Sequence, residues 1–360
     1  PFRTAMAFTQ TSQHQMLVKK SMPSLITTGA DEALPYLTSN KFAYKCPFEK
    51  AVVKEVTKDY MIIEDTKTKQ KDYVDLRTTI QKNSDGGFYI TTKLDPIVKV
   101  GQKLEGNDIV AYDKQSYSNA IGNGGKGSNP FGLSYNMGTL AKVAIMNTDL
   151  GYEDSCVVDN SISEALESKV DVQKDVSLDK NSNVYNMVSV GDFVQEGDPL
   201  LIFQDAFDEK EANELLKNIT DDNAEGLSDL GRKPVRAKMT GQITNIKIYR
   251  TCDDEELSPT LLKIVKAYDA KINKLKKVMR SNGVDKEYTL EATSKLPAEG
   301  KLKHLDGVRI EFYIEVNDKF GIGDKLVFSQ ALKGVNSYII PKGEEAFSDY
   351  RKDEYVNAFL

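Results

Sequence analysis

Val188-Ser-Val-Gly-Asp-Phe-Val-Gln-Glu-Gly-Asp-Pro-Leu-Leu201 places two glycine turns among short apolar runs. The design returns in Val98-Lys-Val-Gly-Gln-Lys-Leu-Glu-Gly-Asn-Asp-Ile-Val110, and more loosely in Phe320-Gly-Ile-Gly-Asp-Lys-Leu-Val327. Each copy sets glycine beside an apolar residue, so the backbone can reverse with φ > 0 between short strands. Units of this kind build compact barrels and sandwich-hybrid modules, not long open sheets. Working outward, Val52, Val53, Val56 and Tyr60-Met61-Ile62-Ile63 are β-rich runs. Asp85-Gly86-Gly87 before Phe88-Tyr89-Ile90 predicts a turn between strands. A second β-run covers Leu140 to Ile145, and Gly241 to Tyr249 alternates apolar and polar with period two, as a half-buried strand does. Residues 1–50, punctuated by Pro23, Gly29, Pro35 and Pro47, read as irregular structure with short strands. The expected class is α+β, mainly β.

Helical signals are fewer. Ile162, Ala165 and Leu166 fit one short amphipathic helix, and residues 208–219 fit another, acidic at its start. The clearest helix opens at Ser258-Pro259 and stops near Asn282-Gly283. Its apolar positions Leu261, Val265, Tyr268, Ile272, Leu275 and Met279 form a heptad seam, with Lys271, Lys274, Lys276 and Lys277 on other faces. Packing on its own domain is the expected use of that seam, ahead of a partner coiled coil. Residues 221–231 read as an exposed polar tip.

Composition narrows the function. The chain has 360 residues, 48 Lys+Arg against 54 Asp+Glu, a formal charge of −6, and is 40% hydrophobic. Its mean hydropathy is −0.44, and no apolar run approaches the ~18 residues that span a bilayer, so no membrane protein is expected. Cys46, Cys156 and Cys252 are too widely spaced for a disulfide scaffold or a C-x-x-C zinc site. Two histidines, His14 and His304, leave little for a histidine-built metal centre. A reducing, intracellular setting is expected. The acidic balance argues against a free-standing nucleic-acid binder, while leaving room for a subunit that lends a few cations to an assembly. Pro1 is expected to lie inside a longer polypeptide or to follow processing.

Several motifs dissolve on inspection. Gly122-Asn-Gly-Gly-Lys-Gly-Ser128 looks like a phosphate loop, but Lys126 is followed by Gly127 and Asn129-Pro130 blocks a helix, so a surface loop is expected. Asp253-Asp254-Glu255-Glu256 is explained as solvated charge at a helix start. No Gly-x-Ser-x-Gly or zinc-protease helix motif occurs. Glu153-Asp154 differs, because the adjacent carboxylates follow a β-run and a glycine and so stand at a strand end; such oxygens suit Mg²⁺. Taken alone, that pair, Lys325 and Lys333 all read as solvated surface charge.

Taken in order, the motifs give a different picture. Pro1-Phe-Arg-Thr-Ala-Met6 followed by Gln13 is similar to the Pro-Ala-Arg-Ala-Leu-Met segment of the β subunit of multisubunit RNA polymerases. Ser24-Leu-Ile-Thr-Thr-Gly29 stands where that family has Pro-Leu-Val-Gly-Thr-Gly. Gly138 to Met146, then Gly151-Tyr-Glu-Asp-Ser155, resembles the run ending Tyr-Asn-Phe-Glu-Asp-Ser. Met239-Thr-Gly-Gln-Ile-Thr-Asn-Ile246 resembles Val-Ser-Gly-Thr-Val-Ile-Asp-Val. Gly323-Asp-Lys325 with Lys333-Gly-Val335 is similar to Gly-Asp-Lys … Asn-Lys-Gly-Val, with the same eight-residue step between lysines. The departures are Ser329-Gln-Ala-Leu332 for the family's Arg-His-Gly-Asn, Tyr152 for its Phe, and no Pro-Leu-Gly-Val-Pro-Ser-Arg motif. Divergence this deep looks like the C-terminal part of a split β subunit from a large (jumbo) bacteriophage polymerase.

The resemblance implies a double-psi-type catalytic barrel from residues 1–156 and 312–360. Residues 157–311 would be an inserted flap or wall with a sandwich-hybrid core, a tip near 205–232 and the long helix. It implies DNA-directed RNA polymerase activity only within a multisubunit complex, with the Asp triad for the tightly held Mg²⁺ on a β′-like partner. By the same likeness Glu153 and Asp154 would face a second Mg²⁺, mostly through water. Arg3 would neutralise incoming phosphates, Lys325 and Lys333 would hold the RNA 3′ end and the nucleotide, and Gln13 would contact the hybrid. Implied partners are the β′-like subunits, the other β fragment, template DNA, the RNA transcript, nucleoside triphosphates and an initiation factor at the flap. The implied location is the cytoplasm of a host bacterium, or a virion that packages the enzyme. Two rivals from other classes remain. A biotinyl- or lipoyl-type carrier is mimicked by Val188 to Phe203 with Ala237-Lys-Met-Thr-Gly241, and a non-catalytic scaffold is the third option.

Overall fold

The computed structural model describes residues 18, 20–23, 29–82, 89–119, 132–136, 138–205, 231–283, 306–328 and 332–360. The chain is mainly β, with short antiparallel strands outnumbering helices, and it divides into two compact units. One comprises Pro1–Val170 with Asn317–Leu360, the other Asp171–Val316. Among the described residues no helix is long and apolar enough to cross a membrane.

One reciprocal turn recurs through both units and explains the glycine repeats. In Ser189–Asp192 the Asp192 amide donates to the Ser189 carbonyl at 3.1 Å, while Asp192 Oδ2 accepts the Ser189 amide at 2.7 Å. The same pair of bonds closes Gln195–Asp198, Gly321–Asp324 and Glu105–Asp108. Gln102 plays the aspartate's part toward Lys99. The third residue of each turn has positive φ: Gly191 102°, Gly197 91°, Gly323 93°, Asn107 68° and Gly101 84°. That conformation is open to glycine and tolerated by asparagine, and the aspartate satisfies an amide the turn would otherwise leave bare.

In the first unit, the strands Lys71–Asp75, Tyr60–Asp65, Lys50–Val56 and Lys103–Glu105 form one antiparallel sheet. Its inner face packs Met61, Ile63, Val53, Val74 and Leu104 into a core shared with Tyr44 and Val110. The Thr79–Lys82 and Tyr89–Thr92 strands pair antiparallel; the expected turn between them, Asp85–Gly87, lies outside the described residues. Two expectations are corrected. A helix, Gly29–Leu37, occupies part of the stretch read as irregular, and it contains Pro35. Proline has no amide for the carbonyl four residues back, and the helix ends two residues later. The run read as Leu140 to Ile145 yields only the strand Val143–Ala144, an edge paired on one side with Ala358–Phe359.

In the second unit, Asn183–Met187, Pro199–Gln204 and Lys233–Arg236 form a three-stranded antiparallel sheet. Phe193–Val194, Gly241–Arg250 and Gly307–Asp318 pair in sequence, with Ser168–Asp179 next in order. The alternation read in Gly241 to Tyr249 holds until a register shift between Ile243 and Asn245. The long helix is Pro259–Ser281, capped by the Ser258 hydroxyl, which accepts from the Leu261 amide. Gly283 just past its end has φ 66°, as helix-terminating glycines do. Leu261, Val265, Ile272, Leu275 and Met279 of the heptad seam are buried within the chain itself. The short helix after the acidic pair is Asn160–Ala165. The expected helix over 208–219, the tip at 221–231 and the Gly122–Ser128 loop fall in residues not described, apart from Gly231.

Candidate functional site

The acidic pair and the two lysines belong to one mixed sheet of the first unit. Its strand order is Val143–Ala144, Ala358–Phe359, Ser155–Asp159, Leu332–Ile340, Lys325–Phe328. Ser155–Asp159 runs parallel to Leu332–Ile340, which is antiparallel to Lys325–Phe328. Apolar side chains cover both faces of the centre. Val157, Ile340 and Phe359 pack on one side, and Val158, Ile162 and Ala358 on the other with Leu326 and Phe328.

Strand periodicity then fixes where the charges go. Leu326 and Phe328 turn into the core, so Lys325 and Val327 face the opposite way. Lys333 is the cross-strand partner of Val327, and Val335 that of Lys325. Partners share a face, so both lysines stand on one side, and both are exposed. The row continues from Val335 to Ser155, and the Val335 amide donates to the Asp154 carbonyl at 3.0 Å. Lys325 is therefore about two strand spacings, about 10 Å, from the strand that Glu153 and Asp154 lead into. These four residues are brought to one end of one sheet. Arg3 and Gln13 lie outside the described residues.

Glu153 and Asp154 turn with positive φ, 21° and 24°. Two consecutive side-chain-bearing residues in that region are unusual, and backbone strain of this sort clusters at functional sites. Both are exposed, and neither they nor the two lysines make an ion pair among the described residues. Free carboxylate oxygens of this kind can hold a divalent cation directly or through water, and free ammonium groups can hold phosphate oxygens as point charges.

The supporting shell contains a residue that sequence reasoning missed. Asn336 is fully buried at 0% exposure. Its amide donates to the Asp324 carbonyl at 2.8 Å and its carbonyl accepts from the Gly323 amide at 2.8 Å. Its Nδ2 donates to the Gly321 carbonyl at 3.0 Å. The turn that delivers Lys325 is thus clamped by one side chain and two main-chain bonds. The only signal was an asparagine, a residue uncommon in strands, within Val335-Asn-Ser-Tyr-Ile-Ile340. A second lock is Asp159, whose Oδ1 accepts from the Ile162 amide and whose Oδ2 accepts from Asn357 Nδ2.

Among the described residues one other cluster has ligand-type atoms. Cys252, Glu256 and Asp306 place theirs within 4.8 Å of one another. Lys180 Nζ already stands 2.7 Å from Asp306 and 3.8 Å from Glu256, and burial pushes the Cys252 thiol up. The lysine satisfies the carboxylates without a metal. A scan of protein-family models finds none that matches the chain, and a search of curated proteins finds none that matches it.

Proposed function

We propose that the chain is the C-terminal portion of a split β-like subunit of a multisubunit DNA-dependent RNA polymerase. The observation that supports this reading is the row Lys325, Val335, Ser155, which gathers two free carboxylates and two free lysines at one sheet end. These are the residues that the sequence resemblance singles out, and they are separated by up to 180 positions in the chain (Glu153 to Lys333).

The chemistry required is attack of an RNA 3′ oxygen on the α-phosphate of a nucleoside triphosphate, with diphosphate leaving. Mg²⁺ supplies charge neutralisation at the phosphates and lowers the pKa of the attacking hydroxyl. In the proposal the tightly held ion belongs to an aspartate triad on a β′-like partner. Glu153 and Asp154, exposed and unpaired, suit a second ion carried in by the nucleotide. Lys325 and Lys333 hold phosphate oxygens of the transcript end and the incoming nucleotide. Arg3 adds a planar fork for phosphate, and Gln13 contacts the hybrid. The barrel is of double-psi type, and residues 157–311 act as flap or wall.

The test is made in the assembled complex. Lys325→Ala, or Glu153→Gln with Asp154→Asn, is expected to slow single-nucleotide addition by roughly 10²-fold or more while the subunits still co-purify. Normal elongation by these variants refutes the assignment. The carrier reading gains nothing from the pairing. Lys238 lies between Lys233–Arg236 and Gly241–Arg250, strands of two different sheets and not the arms of one hairpin.

A further inference from the structure

The outer face of the Pro259–Ser281 helix carries a run of lysines that the site above does not use. Lys263, Lys266, Lys271, Lys274 and Lys277 are all exposed. At 100° per residue, four of them (Lys263, Lys266, Lys274 and Lys277) fall within an arc of about 80° and extend along about 21 Å of helix axis. Between Lys263 and Lys277 the other exposed residues on that side are Ala267, Ala270 and Asn273, and Pro259 and Ser281 stand at its two ends. The helix has one acid, Asp269, and it is half-buried. None of the five lysines makes an ion pair among the described residues. Like charges three residues apart repel, so the ridge keeps a cost that a polyanion would remove. It is a local exception in a chain of net charge −6.

Three points select the polyanion. A helix that lies in a membrane needs an apolar stripe beside its lysines, and here Leu261, Val265, Ile272, Leu275 and Met279 are buried in the chain. A protein partner needs apolar or aromatic anchors, and lysine is depleted at interface centres; between the lysines this face offers only alanine as an exposed apolar residue. A nucleic-acid strand presents one phosphate per about 3.4 Å of axis, so a 21 Å ridge meets about six phosphates without needing any other contact.

We infer that this helix face binds the phosphate backbone of a nucleic-acid strand without regard to sequence, through Lys263, Lys266, Lys274 and Lys277. The inference stands apart from the catalytic assignment, since the helix lies in the other unit and its binding is read without catalysis. The full-length chain is titrated into a labelled single-stranded oligonucleotide long enough to span the ridge, over a series of salt concentrations. Replacing the four lysines by glutamine (K263Q/K266Q/K274Q/K277Q) is expected to lower the slope of log K against log salt by about 3, while the four-arginine variant keeps it. In the unaltered chain, the oligonucleotide is expected to protect these four lysines from acetylation, read by mass spectrometry. An unchanged slope in the glutamine variant, equal acetylation with and without oligonucleotide, or tighter binding to phosphatidylserine vesicles than to the oligonucleotide overturns the inference.

Discussion

The Val335 amide donates to the Asp154 carbonyl at 3.0 Å, tying the acidic turn to the strand that carries Lys333. That bond opens the parallel ladder of Ser155–Asp159 with Leu332–Ile340, one residue before its first member, Ser155. The acidic pair is therefore held by main-chain geometry, and its side chains are left free for a ligand. Parallel pairing brings together segments about 180 positions apart in the sequence, which no local pattern could do.

Exposed and unpaired groups contribute little to folding, which separates stability from chemistry at this site. Lys325→Ala and Lys333→Ala are expected to shift unfolding free energy by less than about 0.5 kcal/mol. Their effect on nucleotide addition in the complex should be far larger, with Lys325 the more sensitive of the two. Urea unfolding of the chain beside single-turnover assays of the complex checks this. A loss of stability that accounts for the lost activity would remove the functional assignment of these lysines.

Two glycines are predicted to resist any side chain, for different reasons. A Cβ on Gly241 would run into the backbone carbonyl of Glu315 in the paired strand, which cannot rotate away. A Cβ on Gly334 would stand 3.1 Å from Cys156 Cβ and 3.3 Å from both its amide nitrogen and its Sγ, a milder crowding that a shift of a few tenths of an ångström relieves. Gly241→Ala should cost about 3 kcal/mol and Gly334→Ala about 1 kcal/mol, by the usual cost of overpacking. Thermal unfolding of each variant gives the order, and a reversed order would contradict this packing.

Much of this architecture could be read from residue patterns because it is local. The reciprocal turns need glycine or asparagine at one position and aspartate at the next, and Ser189–Asp192, Gln195–Asp198 and Gly321–Asp324 carry that signature openly. Ser258-Pro259 and Gly283 marked the long helix for the same reason. The short Val143–Ala144 strand was overestimated because Leu140, Ile145 and Met146 are exposed; apolar character alone does not supply a pairing partner. Asn336 was missed because its role arises from a turn twelve or more residues earlier in the chain, Gly321–Asp324. Glu153, Asp154, Lys325 and Lys333 could be singled out only by resemblance, since their meeting depends on strand order.

Burial raises all three thiols, which sets an alkaline limit on stability. Cys156 is pushed up from 9.0 to about 11 by desolvation, and Cys46 and Cys252 are raised by the same cause. A folded-state value above the unfolded one means the native chain holds its proton more tightly. The contribution is fully present below pH 9.0 and is lost as pH rises toward about 11. Cys156→Ala should flatten that alkaline decline relative to the parent chain, measured as urea midpoints across the window. Native Cys156 should also react slowly with a small disulfide reagent near neutral pH, because it is both protonated and enclosed. An unchanged alkaline slope in the alanine variant would show that the thiol does not titrate in this range.

Asn336 offers the sharpest separation of positioning from packing. Replacing it by alanine leaves the Gly321 carbonyl without its Nδ2 donor and opens a gap in a fully buried place. The expected loss is about 1–3 kcal/mol of stability. Because the same side chain clamps the turn before Lys325, nucleotide addition in the complex should fall further than stability alone dictates. Met61→Ala, in a separate core cluster of the same unit and itself fully buried, serves as the comparison at similar or greater destabilisation. Asn336→Asp keeps the shape and loses the donated bond, so it should follow the alanine variant and not the parent chain. Equal activity of the Asn336 and Met61 variants, at matched stability, would reduce Asn336 to an ordinary core residue and detach the clamp from the chemistry of Lys325.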